Sequence, residues 1–194
     1  MKTAIERLAR AMAILGGIVL TILVVLTCVS VFGRGLNSMG HSDWLTALSQ
    51  SLADGLIAAG VGPVTGDFEL VEAGIAFSIF AFLPICQLYA GHATVDVFTS
   101  RLSDRTNAWL IAFWDCVLTL VIWLITWRLF AGFLDKLGNG ETTFLLQFPI
   151  WWAYAASFAA AFVASVTALY CSVGRVTYAA TGRSILPVSG ADAT

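Results

Sequence analysis

Charged residues are scarce. They make up 11% of the 194 residues, against roughly 25% in ordinary soluble domains, and no basic run offers a footprint for nucleic acid. Histidine is scarcer still. His41 and His92 are the only two, and both fall between apolar stretches, so no histidine pair is placed to hold a haem between helices. The four cysteines, Cys28, Cys86, Cys116 and Cys171, are too scattered for a CxxC redox pair or a zinc-ligand spacing. That argues against a membrane disulfide oxidoreductase and leaves them as small packing residues. HExxH, a phosphate-binding glycine loop and GxSxG are all missing. Nothing here supports an enzyme, and no metal or other cofactor is expected.

What is abundant is apolar side chain. Hydrophobic residues reach 59% and the mean hydropathy is +0.87. They gather into four stretches, 11–32, 68–90, 107–130 and 150–173. Each has the roughly 20 residues that cross a hydrocarbon core of about 30 Å at 1.5 Å per residue. The fold class that follows is an all-α membrane protein, a single four-helix domain over 1–173 with a flexible cytoplasmic tail, 174–194. The first stretch is too long for a secretory signal and runs into Arg34, so it is expected to be retained.

Orientation follows from the basic residues. Lys2, Arg7, Arg10, Arg101, Arg105, Arg175 and Arg183 lie on the side of the N-terminus, and Arg34, Arg128 and Lys136 on the other. This asymmetry predicts both termini in the cytoplasm. Between spans one and two, Trp44, Leu45, Leu48, Leu52, Leu56 and Ala59 share a helical face opposite Asp43, Gln50 and Asp54, and Gly60, Gly62 and Pro63 then end the pattern. The spacing predicts a short amphipathic interfacial helix over 43–59. Whether it meets lipid, the end of the bundle or a partner stays open at this point.

Few polar residues stand in or beside the spans. Glu69 and Glu72 share a face at the start of span two, with Arg34 and Arg128 at comparable depth on spans one and three. They are expected to form ion pairs latching helices together; an outer gate or cation site is the alternative. Asp115 is the one acid deep in a span. It is expected to face other protein and find polar donors, although a single buried acid also serves small exporters. The string from Gly91 through His92 to Asp96 reads as a turn where span two leaves the membrane. Span four opens with Pro149, Trp151 and Tyr154, an aromatic anchor, and continues through Ala156 and Ala160 with small residues that permit close approach of another helix.

These strings, in this order, resemble the small membrane subunit of tripartite ATP-independent periplasmic (TRAP) transporters, the DctQ type. The resemblance is carried by Arg34 after the first span, by Glu69 and Glu72 leading to Gly91-His92-x-x-Val95-Asp96, and by the proline-aromatic entry to span four. The connection between spans one and two is longer than in that family, and span four lacks a further proline over 155–162. The resemblance implies an accessory scaffold in the bacterial inner membrane. It would stabilise a large multi-span permease subunit that imports organic acids with sodium, fed by a periplasmic substrate-binding protein. The expected partners are therefore that permease, the binding protein and membrane lipid, with no nucleic acid. Pro149, Trp151, Ala156 and Ala160 are the expected partner interface. A self-contained four-helix exporter or channel using Asp115 is the competing reading.

Overall fold

A computed structural model describes residues 2–42, 47–51, 54–55, 62–89 and 103–182. Four long helices dominate them: α1 (Lys2–Gly40), α2 (Asp67–Leu88), α3 (Asp104–Asn139) and α4 (Trp151–Thr181). All four are long and apolar enough to cross a membrane. Among the described residues no strand forms beyond one antiparallel bridge, Thr142 with Pro149. The expected turn at Gly91, His92 and Asp96 lies outside the described residues, as does most of the expected interfacial helix.

Three helices outrun the apolar stretches that define their spans. α1 continues to Gly40 and α3 to Asn139, while α4 reaches Thr181, into the segment expected as a flexible tail. Apolar side chains are needed only where lipid surrounds the helix, whereas backbone hydrogen bonding carries on until a residue stops it. The stops are local. Gly140 (φ 63°) and Gly182 (φ 72°) take the left-handed conformation and donate their N–H to Lys136 O and Tyr178 O, a helix ending that glycine adopts without steric cost. Ser103 starts α3, its side chain accepting the Thr106 N–H.

The helices lie in the order α1, α2, α4, α3, each antiparallel to its sequence neighbour, with their main contacts between α1 and α2, α2 and α4, and α4 and α3. α4 is therefore central. Half of its most apolar window is buried, against 11% for α1. Its small residues explain the position: Ala160, Ala161, Ala164, Ala168 and Cys171 are all fully enclosed, so neighbouring backbones approach closely.

Hydroxyls reinforce the close contacts. Thr126 Oγ1 donates to Ile122 O and lies 2.7 Å from Ser165 Oγ, while Thr119 donates to Ala168 O, joining α3 to α4. On the other side of the row Ser78 donates to Gly16 O. A Cβ at Gly16 would stand 2.9 Å from the Ala81 Cβ, so this crossing of α1 and α2 depends on glycine. Apolar packing completes the row, with Ala9, Leu88 and Cys171 where α1 begins and α2 ends and Ile122, Ala164 and Ala168 toward the middle.

Candidate functional site

Polar chemistry concentrates at three places: a buried clasp toward the end where α1 begins and α4 finishes, a pair of anchors at the opposite end, and a groove beside those anchors.

The buried clasp centres on Asp115, only 3% exposed and about three turns into α3. Gln87 near the end of α2 donates its amide to Asp115 Oδ1 at 2.5 Å. Arg175 of α4 pairs with the same oxygen, and its second guanidinium nitrogen donates to Gln87 O at 3.0 Å. One carboxylate thus joins three helices. An amide and a cation both point at that oxygen, so α2 and α4 are drawn to one atom of α3. Sequence reasoning anticipated polar donors for Asp115 but assigned Arg175 to the tail and overlooked Gln87. Gln87 did carry a signal, as an amide inside an otherwise apolar span. Arg175 carried none, because nothing local says that α4 continues past Val173.

At the opposite end the acids take partners other than those expected. Arg34 pairs with Asp67 at 3.6 Å, not with Glu69 or Glu72. Asp67 also accepts from Ser30 Oγ at 2.5 Å, and Ser30 accepts the Val64 N–H. The last third of α1, the chain leading into α2 and the first residue of α2 are thereby tied together. Asp67 falls one residue before the second apolar stretch, 68–90. An acid at a helix N-terminus is the signal that marked it, since negative charge there meets free amides.

Glu69 has no cationic partner among the described residues. It accepts two backbone N–H groups, from Leu145 at 2.6 Å and Leu146 at 3.0 Å. Those amides belong to a short hairpin over 141–150, closed by Thr143 N–H to Phe148 O and Ile150 N–H to Glu141 O. Gln147 sits inside it at φ 55°, a strained conformation for a residue with a side chain. Its amide donates to Phe144 O, which holds the turn, and Lys136 pairs with Glu141 at its base. Gly66 (φ 75°) lies directly against the Leu146 side chain, where a Cβ would collide. Glu69 therefore fastens the start of α2 to the segment that leads into α4. A two-amide cradle is invisible in sequence because backbone N–H groups carry no residue identity.

Glu72 and Arg128 are exposed and have no ion-pair partner among the described residues, so the expected four-residue latch divides into two separate anchors. The expected partner interface divides as well. Trp151 is half-buried and packs edge-on against Phe133 of α3, ring centroids 6.4 Å apart, and Pro149 is half-buried in the hairpin. Ala160 is fully enclosed by this chain's own helices, whereas Ala156 remains exposed.

Because α2 and α3 flank α4 without closing over it, a groove of about 460 Å³ opens beside the hairpin. Ala73, Ala76 and Phe80 line one side and Leu129 another, with Ala153, Tyr154 and Ser157 from α4. Glu72 also lines it.

The arrangement holds helices at fixed spacing, and among the described residues it offers no chain of titratable groups along the spans. Comparison with curated proteins and with solved structures returns no match. Comparison with family models does: residues 23–177 match the DctQ component of tripartite ATP-independent periplasmic transporters. The match takes in all of α2 and α3 and nearly all of α4, including Asp67, Glu69, Asp115 and Arg175, and so the chain belongs to the DctQ family, a membrane component of TRAP transporters.

Proposed function

We propose that this chain is the non-transporting scaffold of a sodium-coupled importer of organic acids, a fixed body that stabilises the large permease subunit while a binding protein delivers substrate. The observation that carries the reading is the use made of Asp115. The deepest acid in the spans is engaged by Gln87 and Arg175 of the same chain, as suits a residue that fixes helix positions. A proton or substrate carrier needs a carboxylate free to lose and regain partners during its cycle, and that requirement counts against the exporter reading.

The basic-residue asymmetry supports an orientation in the bacterial inner membrane with both termini cytoplasmic. In that orientation the Asp115 clasp lies toward the cytoplasm, and the hairpin with its Glu69 anchor faces the periplasm, on the side where a binding protein docks.

Reconstitution tests the reading. The chain and its large subunit in liposomes, with binding protein outside and an inward sodium gradient, are expected to take up substrate, while the chain alone gives none. Asp115→Asn in the assembled complex is expected to retain uptake in proportion to the complex recovered. Autonomous flux through the chain alone, or an intact complex silenced by Asp115→Asn, would overturn it.

A further inference from the structure

Glu72 and the hydroxyls of Ser157 and of Thr143 in the hairpin, all lining the groove, have no ion-pair or hydrogen-bond partner among the described residues, although the acids beside Glu72 are held. Asp67 and Glu69 are held by Ser30, Arg34 and two backbone amides. Glu72, on the same helix and lining the groove, has no cation near it among the described residues. Ser157 is 3% exposed and also lines the groove, yet its hydroxyl has no hydrogen-bond partner among the described residues. A helical serine ordinarily returns its hydroxyl to the carbonyl four residues earlier, as Ser165 does to Ala161 O. The Ser157 hydroxyl remains unused in a site that is otherwise largely apolar.

An unpaired carboxylate and an unsatisfied hydroxyl at membrane depth both disfavour an empty, lipid-filled groove. The combination calls for an occupant with an apolar stem and a cationic, hydrogen-bond-donating tip. Depth narrows the choice. Glu72 stands about 7 Å along the axis from the start of α2, below the level at which Asp67 meets Arg34. A lipid ammonium group is tied to the headgroup layer, whereas a lysine or arginine on a neighbouring helix reaches such a depth along its own methylene stem. A volume of about 460 Å³ accommodates such a side chain with apolar neighbours beside it.

We propose that this groove receives a basic side chain of the large permease subunit, whose cationic group pairs with Glu72 and hydrogen-bonds the Ser157 hydroxyl. The inference rests on the scaffold reading and adds to it the docking position and its chemistry. Charge specifies the register of the contact, and the walls, Phe80 and Leu129 among them, exclude lipid and water from around it.

The test titrates the purified chain against its large subunit in nanodiscs. Wild-type binding is the expected baseline. Glu72→Gln is expected to weaken affinity by at least about 30-fold, the loss typical of truncating one partner of a buried charge pair, and Ser157→Leu, which fills the groove, is expected to weaken it as well. Leu120→Ala, at a position of α3 that is 67% exposed and outside the groove lining, is expected to leave affinity unchanged. Glu72→Gln alters no packing, so it decides the matter even if Ser157→Leu misfolds. Absence of wild-type binding overturns the scaffold reading and this inference together. Wild-type binding with undiminished affinity in Glu72→Gln overturns the groove assignment alone. If binding is undiminished while native mass spectrometry shows an aminophospholipid lost from the variant, the occupant is lipid and the proposal is likewise overturned.

Discussion

Replacing Arg175 with glutamine removes the cation from the buried clasp and leaves Asp115 without its charge partner. The carboxylate is 3% exposed and the arginine side chain 15%, so water cannot make good the loss. Breaking a buried pair by deleting one member costs about 3–5 kcal/mol, because the charge that remains stays desolvated. In a chain of this length each kcal/mol lowers the melting temperature by about 2–4 °C, which predicts a fall of roughly 6–20 °C. Gln87 keeps its hydrogen bond to Asp115 but loses the guanidinium that its own carbonyl accepts, which places the effect toward the upper part of that range. Replacing both charges with apolar residues of similar size, Asp115→Leu with Arg175→Met, is expected to recover much of the loss, since no charge is then left buried. The assay is thermal unfolding of the purified chain in a single detergent, followed by the emission of its seven tryptophans. An Arg175→Gln variant that melts with wild type, or a double variant no more stable than the single one, would refute the assignment of the clasp as a structural ion pair.

Two further outcomes follow from the anchors and the helix core. Glu69→Gln leaves one good acceptor where two amides now bond, so hydrogen exchange at Leu145 and Leu146 is expected to quicken while exchange in the middle of α4 stays slow; unchanged protection of the hairpin would show that Glu69 does not hold it. Ala160→Leu forces a larger side chain into a fully enclosed site and is expected to cost about 1–3 kcal/mol, whereas Ala156→Leu on the exposed face leaves thermal unfolding unchanged. Equal melting of the two variants would contradict the packing described for α4.

The four spans were readable in the sequence, and the reason is particular to this kind of protein. In lipid every backbone polar group must be satisfied inside the segment, so a long apolar run has almost no alternative to a helix. The small residues of span four likewise announced close packing, but not with which helix. Ala160 turned inward and Ala156 outward, a distinction set by how α4 is rotated between α2 and α3. The anchors were harder to read. Arg34 and Glu69 were recognised as important, yet their partners proved to be Asp67 and two backbone amides, because pairing depends on which helix ends the connecting segments bring to one level.

Composition and hydropathy by themselves determined the solvent of this protein, its helical class and the sparseness of its chemistry, and the ordered motifs pointed to its family. These are local or additive properties, legible one window at a time. The tertiary structure alone decided that Asp115 meets Gln87 and Arg175, that a hairpin caps the start of α2, and that α2 and α3 leave a groove over α4 with Glu72 and Ser157 inside it. Each of those facts joins residues far apart in the chain, and only the rotation and crossing of packed helices determines which of them touch.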